Sequence, residues 1–473
     1  MAKPNDLKAV KKLGTSRELL WDEEMVAEKD GVKLALHHPV AREVSIVHDA
    51  PWEGNVCCYH TVLKDADGKY RMYYRGATYK MGEDHPQVSC CAISDDGITW
   101  TKPDLGLFEF NGSKHNNIVW MGDSAAHNFT PFLDTNPECA ADCRYKAIGG
   151  DKKSGLLLYV SSDGFHWKQF GDQPIIRDGL FDSQNTVSYD TVRQCYVSYS
   201  RCLQPVVSGI YFRAIQRCVS TDMLHWSRPE LIEFVDGAPE MELYTNAILP
   251  YYRCPQVLVG FPKRFVPNRK TAYDLFGGDG LPGMSDGIFM SSRDGVRFHR
   301  CPEAFVRPGL QHERWINRNN MTAWGLVETP SDIPGTPNEL SIYTTEAYYS
   351  EQPSRIRRMT VRLDGFVSMQ APFAGGTFTT KLLSFDGIGD EPRLLLNAST
   401  SGAGSITCEV LDGEGVPIPG FTMDESVPLY ADDMDIPMAW KNGGNLKELV
   451  GKPISLKFQM VDADIYSFRF GAL

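Results

Sequence analysis

The sequence predicts an all-β chain, a five-bladed β-propeller followed by a C-terminal β-sandwich. Three observations lead there. A seven-residue phrase recurs as "SDDGITW" (94–100), "SSDGFHW" (161–167), "STDMLHW" (220–226), "SRDGVRF" (292–298) and "RLDGFVS" (362–368), at intervals of 67, 59, 72 and 70 residues. Short aromatic and β-branched runs flank these phrases and end in Gly, Asp or Ser, among them "KYRMYYRG", "VSCCAIS", "GLLLYVSS" and "QCYVSYSR". Helical periodicity is confined to "SRELLWDEEMVAE" (16–28) and "NLKELVG". A strand-rich repeat of this size is the mark of propeller blades around a channel.

Each phrase reads as a tight hairpin. The Asp carboxylate accepts nearby backbone N–H groups, Gly takes a positive φ, and the Trp or Phe packs between blades. The phrase resembles the Asp-box of sialidases and other propellers. Asp96, Asp163, Asp222, Asp294 and Asp364 are therefore assigned to the fold and expected at peripheral hairpins. Five segments fit the innermost strand that precedes each turn: 55–65, 128–134, 185–190, 244–252 and 319–329. After "RLDGFVSMQAPFAGG" the texture changes to alternating strands with "GAG", "DGEG" and "KNGG" turns, which predicts a sandwich. The expected domains are an N-terminal extension (1–47) packing on propeller or sandwich, the propeller (48–370) and the sandwich (371–473). "GVKLALHHPV" (31–40) is expected to pair with the last blade or the sandwich.

With 473 residues, 42% of them apolar, two domains with a sizeable core are expected. The net charge of −12 argues against nucleic acid or an anionic membrane as partner and suits a neutral or weakly charged ligand. No apolar run reaches the roughly 18 residues of a membrane helix. "MAKPNDLKAVKKLG" lacks the apolar stretch of a signal peptide, so a cytoplasmic protein is expected, with a trimmed secreted chain as the alternative. Twelve cysteines without a CxxC pair read as reduced, packed thiols. Cys139 and Cys143 are spaced for a bridge or a metal. No cofactor and no metal are expected, and the oligomeric state is left open.

Residues at the entrances of inner strands converge on one funnel in a propeller. Blade one supplies Asp49, Trp52, Glu53 and Asn55. Blade two supplies His127 and Asn128, and blade three supplies Asp182, Gln184 and Asn185. Blade four has Glu240, Glu242 and Tyr244, with Arg264 in "GFPKRF", and blade five has Trp315, Asn317 and Asn319. Amides and Arg reach sugar hydroxyls, aromatic faces cover C–H surfaces, and paired carboxylates cleave glycosidic bonds. His127 reads as a substrate-binding group rather than a metal ligand.

In this combination the chain resembles the five-bladed propeller glycosidases of glycoside hydrolase families 32, 43 and 68. It is more closely similar to a bacterial family-32-like group with "PWEGN…YRMYYRG…SDDGITW", "HNFTPFLD", "FDSQN", "NRNN…AWGL", "TSGAGSI" and "DADIYSFRF". The resemblance spans roughly residues 17–473. It implies an exo-acting glycoside hydrolase, with Glu53 as nucleophile or base and Asp182 or Glu242 as general acid. Family 32 uses acids in "NDPNG", "RDP" and "EC"; none of these motifs occurs, so fructofuranoside activity is not implied. Two alternatives stand beside hydrolysis. One is a glycoside phosphorylase, with phosphate held by Lys263, Arg264, Arg269, Arg314 and Arg318. The other is a non-catalytic carbohydrate-binding or assembly protein.

Overall fold

The structure is a computed structural model that describes residues 9–78, 85–207, 210–273, 283–350, 352–387, 389–441 and 443–472. The chain divides into two compact units, one of residues 38–334 and 338–361, the other of residues 1–37, 335–337 and 362–473. The boundaries expected at 47 and 370 thus fall earlier. The reason lies in strand pairing. Val26–Asp30 and Lys33–Leu36 pair with Gly376–Thr380 and Val367–Ala371 of the C-terminal unit. Val40–Val47 instead pairs antiparallel with Arg355–Arg362 and completes a sheet of the other unit. Most of "GVKLALHHPV" therefore belongs with the C-terminal strands.

The larger unit is a propeller-like ring of sheets. Four are four-stranded. The first contains Cys58–Lys64, Tyr70–Gly76, Val88–Ser94 and Ile118–Met121; the second contains Thr130–Leu133, Tyr145–Asp151, Gly155–Ser161 and Lys168–Gln169. The third contains Thr186–Asp190, Cys195–Val207, Ile210–Ser220 and Glu230–Leu231; the last contains Val327–Thr329, Glu339–Glu346, Arg355–Arg362 and Val40–Val47. Between these two lies a sheet of seven strands, so the expected five equal blades become four of that form and one enlarged sheet. The enlargement has two sources. Glu242–Leu243 pairs with Lys263–Val266, which joins Met284–Ser292, and Glu233–Phe234 adds in parallel to Arg297–Val306.

Four of the five recurring turns share one hydrogen-bond pattern. Asp96 Oδ1 accepts the Ile98 and Thr99 N–H groups, each at 2.8 Å, and the Ser94 hydroxyl donates to it at 2.9 Å. Asp163, Asp222 and Asp294 repeat this with their own neighbours. At Asp294 these N–H groups and Arg297 outweigh burial and hold the carboxyl at about 2. The turns also join neighbouring sheets. Tyr73 donates to the Gly164 carbonyl at 3.0 Å, Tyr199 to that of Gly295 at 2.8 Å, and Tyr343 to that of Gly97. A tyrosine on the second strand of one sheet thereby grips the turn of the next. The repeated phrase is architecture.

Asp364 departs from this pattern. It is fully buried in the C-terminal unit at φ +61°, where it accepts Asn397 Nδ2 and the Ser467 hydroxyl. The phrase "RLDGFVS" has no Ser two residues before its Asp, so the turn lacks the first donor of the motif. That unit is built on Arg393–Asp412 and Ile454–Gly471, 20 and 18 residues long and paired antiparallel. Ten strands join in one sheet, beside the small pair of Ser426–Val427 and Ala439–Trp440. The core beneath includes Phe378, Leu396, Trp440, Phe458 and Phe468.

Candidate functional site

Antiparallel pairing returns the end of each second strand to the start of the innermost one, and this gathers side chains at one end of the ring. Arg75 pairs opposite Cys58, beside Tyr59, and Arg201 extends past the Thr186–Tyr199 pair toward Asp182. Tyr244, following the Glu242–Leu243 strand, is the centre. Lys263 Nζ lies 3.8 Å from its ring centroid, and the guanidinium carbons of Arg201, Arg318 and Arg213 lie at 4.6, 5.6 and 5.7 Å. Arg318 also packs on Tyr348 and Tyr349 and donates to the Tyr348 hydroxyl at 3.0 Å. That hydroxyl accepts Arg75 at 2.7 Å, and Arg75 lies 5.1 Å over Tyr59. Aromatic quadrupoles attract these cations.

Two carboxylates enter the cluster. Asp182 pairs with Arg201 and keeps 59% of its side chain exposed; Glu242 pairs with Arg213 and keeps 14%. Lys263 is wholly buried and donates to Asn317 Oδ1 at 2.8 Å. Burial, with Arg318 and Arg201 nearby, pushes its ammonium well below the ordinary lysine range. Burial raises the Tyr244 phenol, but Arg318 and Arg201 outweigh it and pull the phenol below its usual value. His127 ends the 3-10 turn Ser124–His127, which Asp123 caps by accepting the Ala125 N–H. Its ring meets Gln87 at 2.8 Å, Arg75 at 3.3 Å and the Asp182 carbonyl at 3.3 Å. Burial and Arg75 hold it down at about 4. His127 is therefore a neutral hydrogen-bonding ring near pH 7.

The backbone here is strained. Tyr59, Phe181, Arg318 and Tyr349 have φ of +56°, +59°, +72° and +64°. Side chains with a Cβ rarely adopt this region, and such outliers concentrate where a site must be held in one geometry.

Of the residues singled out from the sequence, His127, Asp182, Glu242, Tyr244, Lys263, Asn317 and Arg318 join this cluster. Glu53 does not. Its side chain is fully buried in the first sheet, where Oε1 accepts the Tyr74 hydroxyl at 2.7 Å and Oε2 accepts Lys102 at 2.7 Å and the Ala50 N–H at 2.8 Å. The carboxylate thus accepts three donors and has no exposed surface. Asp49 sits beside it on Lys102, 67% exposed, and Trp52 donates to Asn117. Asn55 accepts the Thr78 hydroxyl, and Glu240 is exposed.

Asn128, Gln184, Asn185 and Asn319 are buried staples. Asn128 binds carbonyls of Gly150, Phe181 and Ser183; Gln184 binds those of Tyr59 and His60. Asn185 donates to Ser183, and Asn319 accepts the Tyr348 N–H. Arg264 is held bidentate by Asp286, and Trp315 donates to the Gly309 carbonyl. Tyr59, Arg75, Arg201, Arg213, Tyr348 and Tyr349 escaped a reading confined to inner-strand entrances. Their signal is the Arg closing "YRMYYRG" and "CYVSYSR", strands that return to the same end.

The other ends of the innermost strands line a different space. A cavity of about 890 Å³ is formed by Thr61–Lys64, Pro131–Leu133, Ser188, Tyr189, Leu249, Pro250 and Trp324–Glu328, and Asp96 also lines it. Strands of several sheets contribute to its lining. It holds none of the cationic cluster.

Beneath the first sheet two histidines face each other, His48 Nε2 and His60 Nε2 at 3.2 Å. His48 Nδ1 lies 3.0 Å from the Ser354 carbonyl, so it carries the proton there; His60 must then donate through Nε2. Burial holds His48 at about 4 and His60 well below its ordinary value. Both titrate higher when unfolded, so the unfolded chain binds more protons below about pH 6.5. Stability is expected to be intact above that pH and to fall as pH drops toward 4, by on the order of 3 kcal/mol for His48 alone. Urea denaturation across pH 4–8 checks this, and His60→Gln should flatten the slope.

No family model matches the chain, and no curated protein matches it. Solved structures with which it shares a likeness include an RGII complex (TM-score 0.46, 15% identity, covering 69% of this protein and 92% of that one). Another is an N-acetylgalactosamine deacetylase from F. plautii in complex with blood group B trisaccharide (0.44, 13%, 70% and 96%). A third is the Bombyx mori GH32 beta-fructofuranosidase (0.40, 10%, 93% and 95%). At such identities and TM-scores no residue role is carried from them to this protein.

Proposed function

We propose that the protein is a glycoside hydrolase that takes a terminal sugar at the cluster around Tyr244. One observation carries this reading. The cluster holds two carboxylates, Asp182 and Glu242, each fixed by its own Arg against the same tyrosine ring. Aromatic faces suit sugar C–H surfaces, and cleavage needs one group to protonate the leaving oxygen and another to attack or to activate water. Asp182, the open member, is proposed as base or nucleophile and Glu242 as proton donor. For that task Glu242 must take up a proton from solvent and give up its ion pair with Arg213 as the sugar binds. Glu53 takes a structural role. Phosphorolysis is the second reading, favoured by Lys263 and Arg318 within the cluster.

The test is a screen of aryl glycosides and natural oligosaccharides with and without phosphate. Turnover is expected in the wild type and at least 10³-fold less in the double variant Asp182→Asn/Glu242→Gln. Phosphate-dependent turnover selects the second reading. No turnover of any glycoside, or turnover that survives the double substitution, overturns both.

A further inference from the structure

Resting on that reading of the cluster, we propose that Arg201, Arg318, Lys263 and Arg75 form an oxyanion subsite, which receives a carboxylate, sulfate or phosphate group beside Tyr244. Charge balance is the first argument. Among the described residues, five cations meet at this cluster with Asp182 and Glu242 as the carboxylates that offset them, in a chain whose net charge is −12. Among the described residues Lys263, Arg318 and Arg75 have no carboxylate partner; their hydrogen bonds go to Asn317, the Tyr348 hydroxyl, the Val56 carbonyl and the His127 ring. Two buried arginines elsewhere are each held by a whole carboxylate. Asp236 grips Arg300 with both oxygens, and Glu43 does the same for Arg358.

Unused donors are the second argument. Arg201 is 5% exposed, yet its Nε and Nη1 are buried without a hydrogen-bond partner, as are Nε of Arg318 and Nε of Arg75. An unpaired buried donor costs about 1–3 kcal/mol, more on a charged group. An oxyanion accepts several guanidinium N–H bonds at once and supplies the missing charge. A neutral sugar supplies hydroxyl acceptors and no charge. The ammonium of Lys263 is held down by burial and by Arg318 and Arg201; an anion between them relieves that repulsion. The expectation of a neutral ligand, drawn from net charge, gives way to this local excess.

The anion has two sources, an acidic group carried by the sugar or free phosphate, and one experiment separates them. The full chain is titrated with inorganic phosphate, sulfate, glucuronate and neutral glucose at constant ionic strength, by calorimetry and by melting temperature. Saturable binding of the anions with a raised melting point is expected, and neither effect from glucose. Arg318→Gln should weaken anion binding at least tenfold, and the exposed Arg228→Gln should leave it unchanged. Asp182→Asn should bind anions as tightly or more so, because it removes a competing negative charge while turnover falls. Phosphate that accelerates glycoside cleavage identifies the free anion; preference for a glucuronide or sulfated glycoside over its neutral parent identifies the substituent. Absence of saturable anion binding to the wild type overturns the subsite. So does wild-type anion affinity in folded Arg318→Gln, or in Arg201→Gln where the first variant does not fold. Anion binding without turnover of any glycoside overturns hydrolysis and leaves the subsite; turnover of neutral glycosides without anion binding does the reverse.

Discussion

Glu53→Ala is expected to lower the free energy of unfolding by about 3–5 kcal/mol, the cost of breaking a buried ion pair from one side. The carboxylate accepts three donors, the Tyr74 hydroxyl, the Lys102 ammonium and the Ala50 N–H. Removing it leaves the Tyr74 hydroxyl, itself buried, without its acceptor and strips Lys102 of its shorter ion pair, at 2.7 Å. Lys102 retains Asp49 at 3.1 Å, but that partner is 67% exposed and screened by water, so it restores little. Burial lowers the Lys102 pKa, and Glu53 overrides it and raises the group overall; without Glu53 the ammonium becomes a liability. Glu53→Gln keeps the shape and the hydrogen-bond acceptor for Tyr74 but loses the charge, so its cost should be smaller. Urea denaturation of both variants measures the difference. The catalytic alternative predicts the opposite signature, Glu53→Gln folded as wild type and devoid of turnover. Turnover near the wild-type rate in the folded fraction of Glu53→Gln is the expected result.

Why the buried setting of Glu53 was not legible in the sequence while that of Asp96 was is a matter of physics. In "SDDGITW" the acid, the glycine and the aromatic interact within seven residues, so the local sequence contains the whole hydrogen-bond pattern. Even Met223, in place of the usual Gly, takes φ +71° and the turn persists. Asp364 shares the letters "DG" but not the Ser donor, and the difference was visible in "RLDGFVS". Glu53 depends on Tyr74 and Lys102, 21 and 49 residues away. No periodicity in "PWEGN" says which face of the strand entrance the carboxylate takes. The cluster around Tyr244 is likewise non-local. It draws Arg75, Arg201, Arg213 and Arg318 from separate strand ends and turns, and only the antiparallel return of each strand makes them neighbours. The seven-stranded sheet was hidden for the same reason, since Glu233–Phe234 and Glu242–Leu243 are two-residue strands too short to carry a pattern.

Asp182→Asn and Glu242→Gln should separate by leaving group, each costing about 10²–10⁴-fold on the substrate that needs it. Asp182 is the open member of the pair, 59% exposed, and Arg201 fixes its direction. It follows Phe181, whose φ of +59° holds the turn that presents it. A base or nucleophile there acts on every substrate, so Asp182→Asn should slow activated aryl glycosides and natural oligosaccharides alike. Glu242 is 14% exposed and lies beside Tyr244 and Phe265. Its assigned task, protonating the leaving oxygen, is dispensable when the aglycone leaves readily as an anion. Glu242→Gln should therefore retain most activity on dinitrophenyl glycosides and lose it on alkyl glycosides and oligosaccharides. Azide is expected to restore turnover in Asp182→Asn if the group is a base or nucleophile, since a small anion can occupy the vacated space beside Arg201. Initial rates across a series of aryl leaving groups give the slope for each variant. A steep dependence for Asp182→Asn with a flat one for Glu242→Gln would exchange the two roles, and wild-type rates in both would remove the pair from the chemistry.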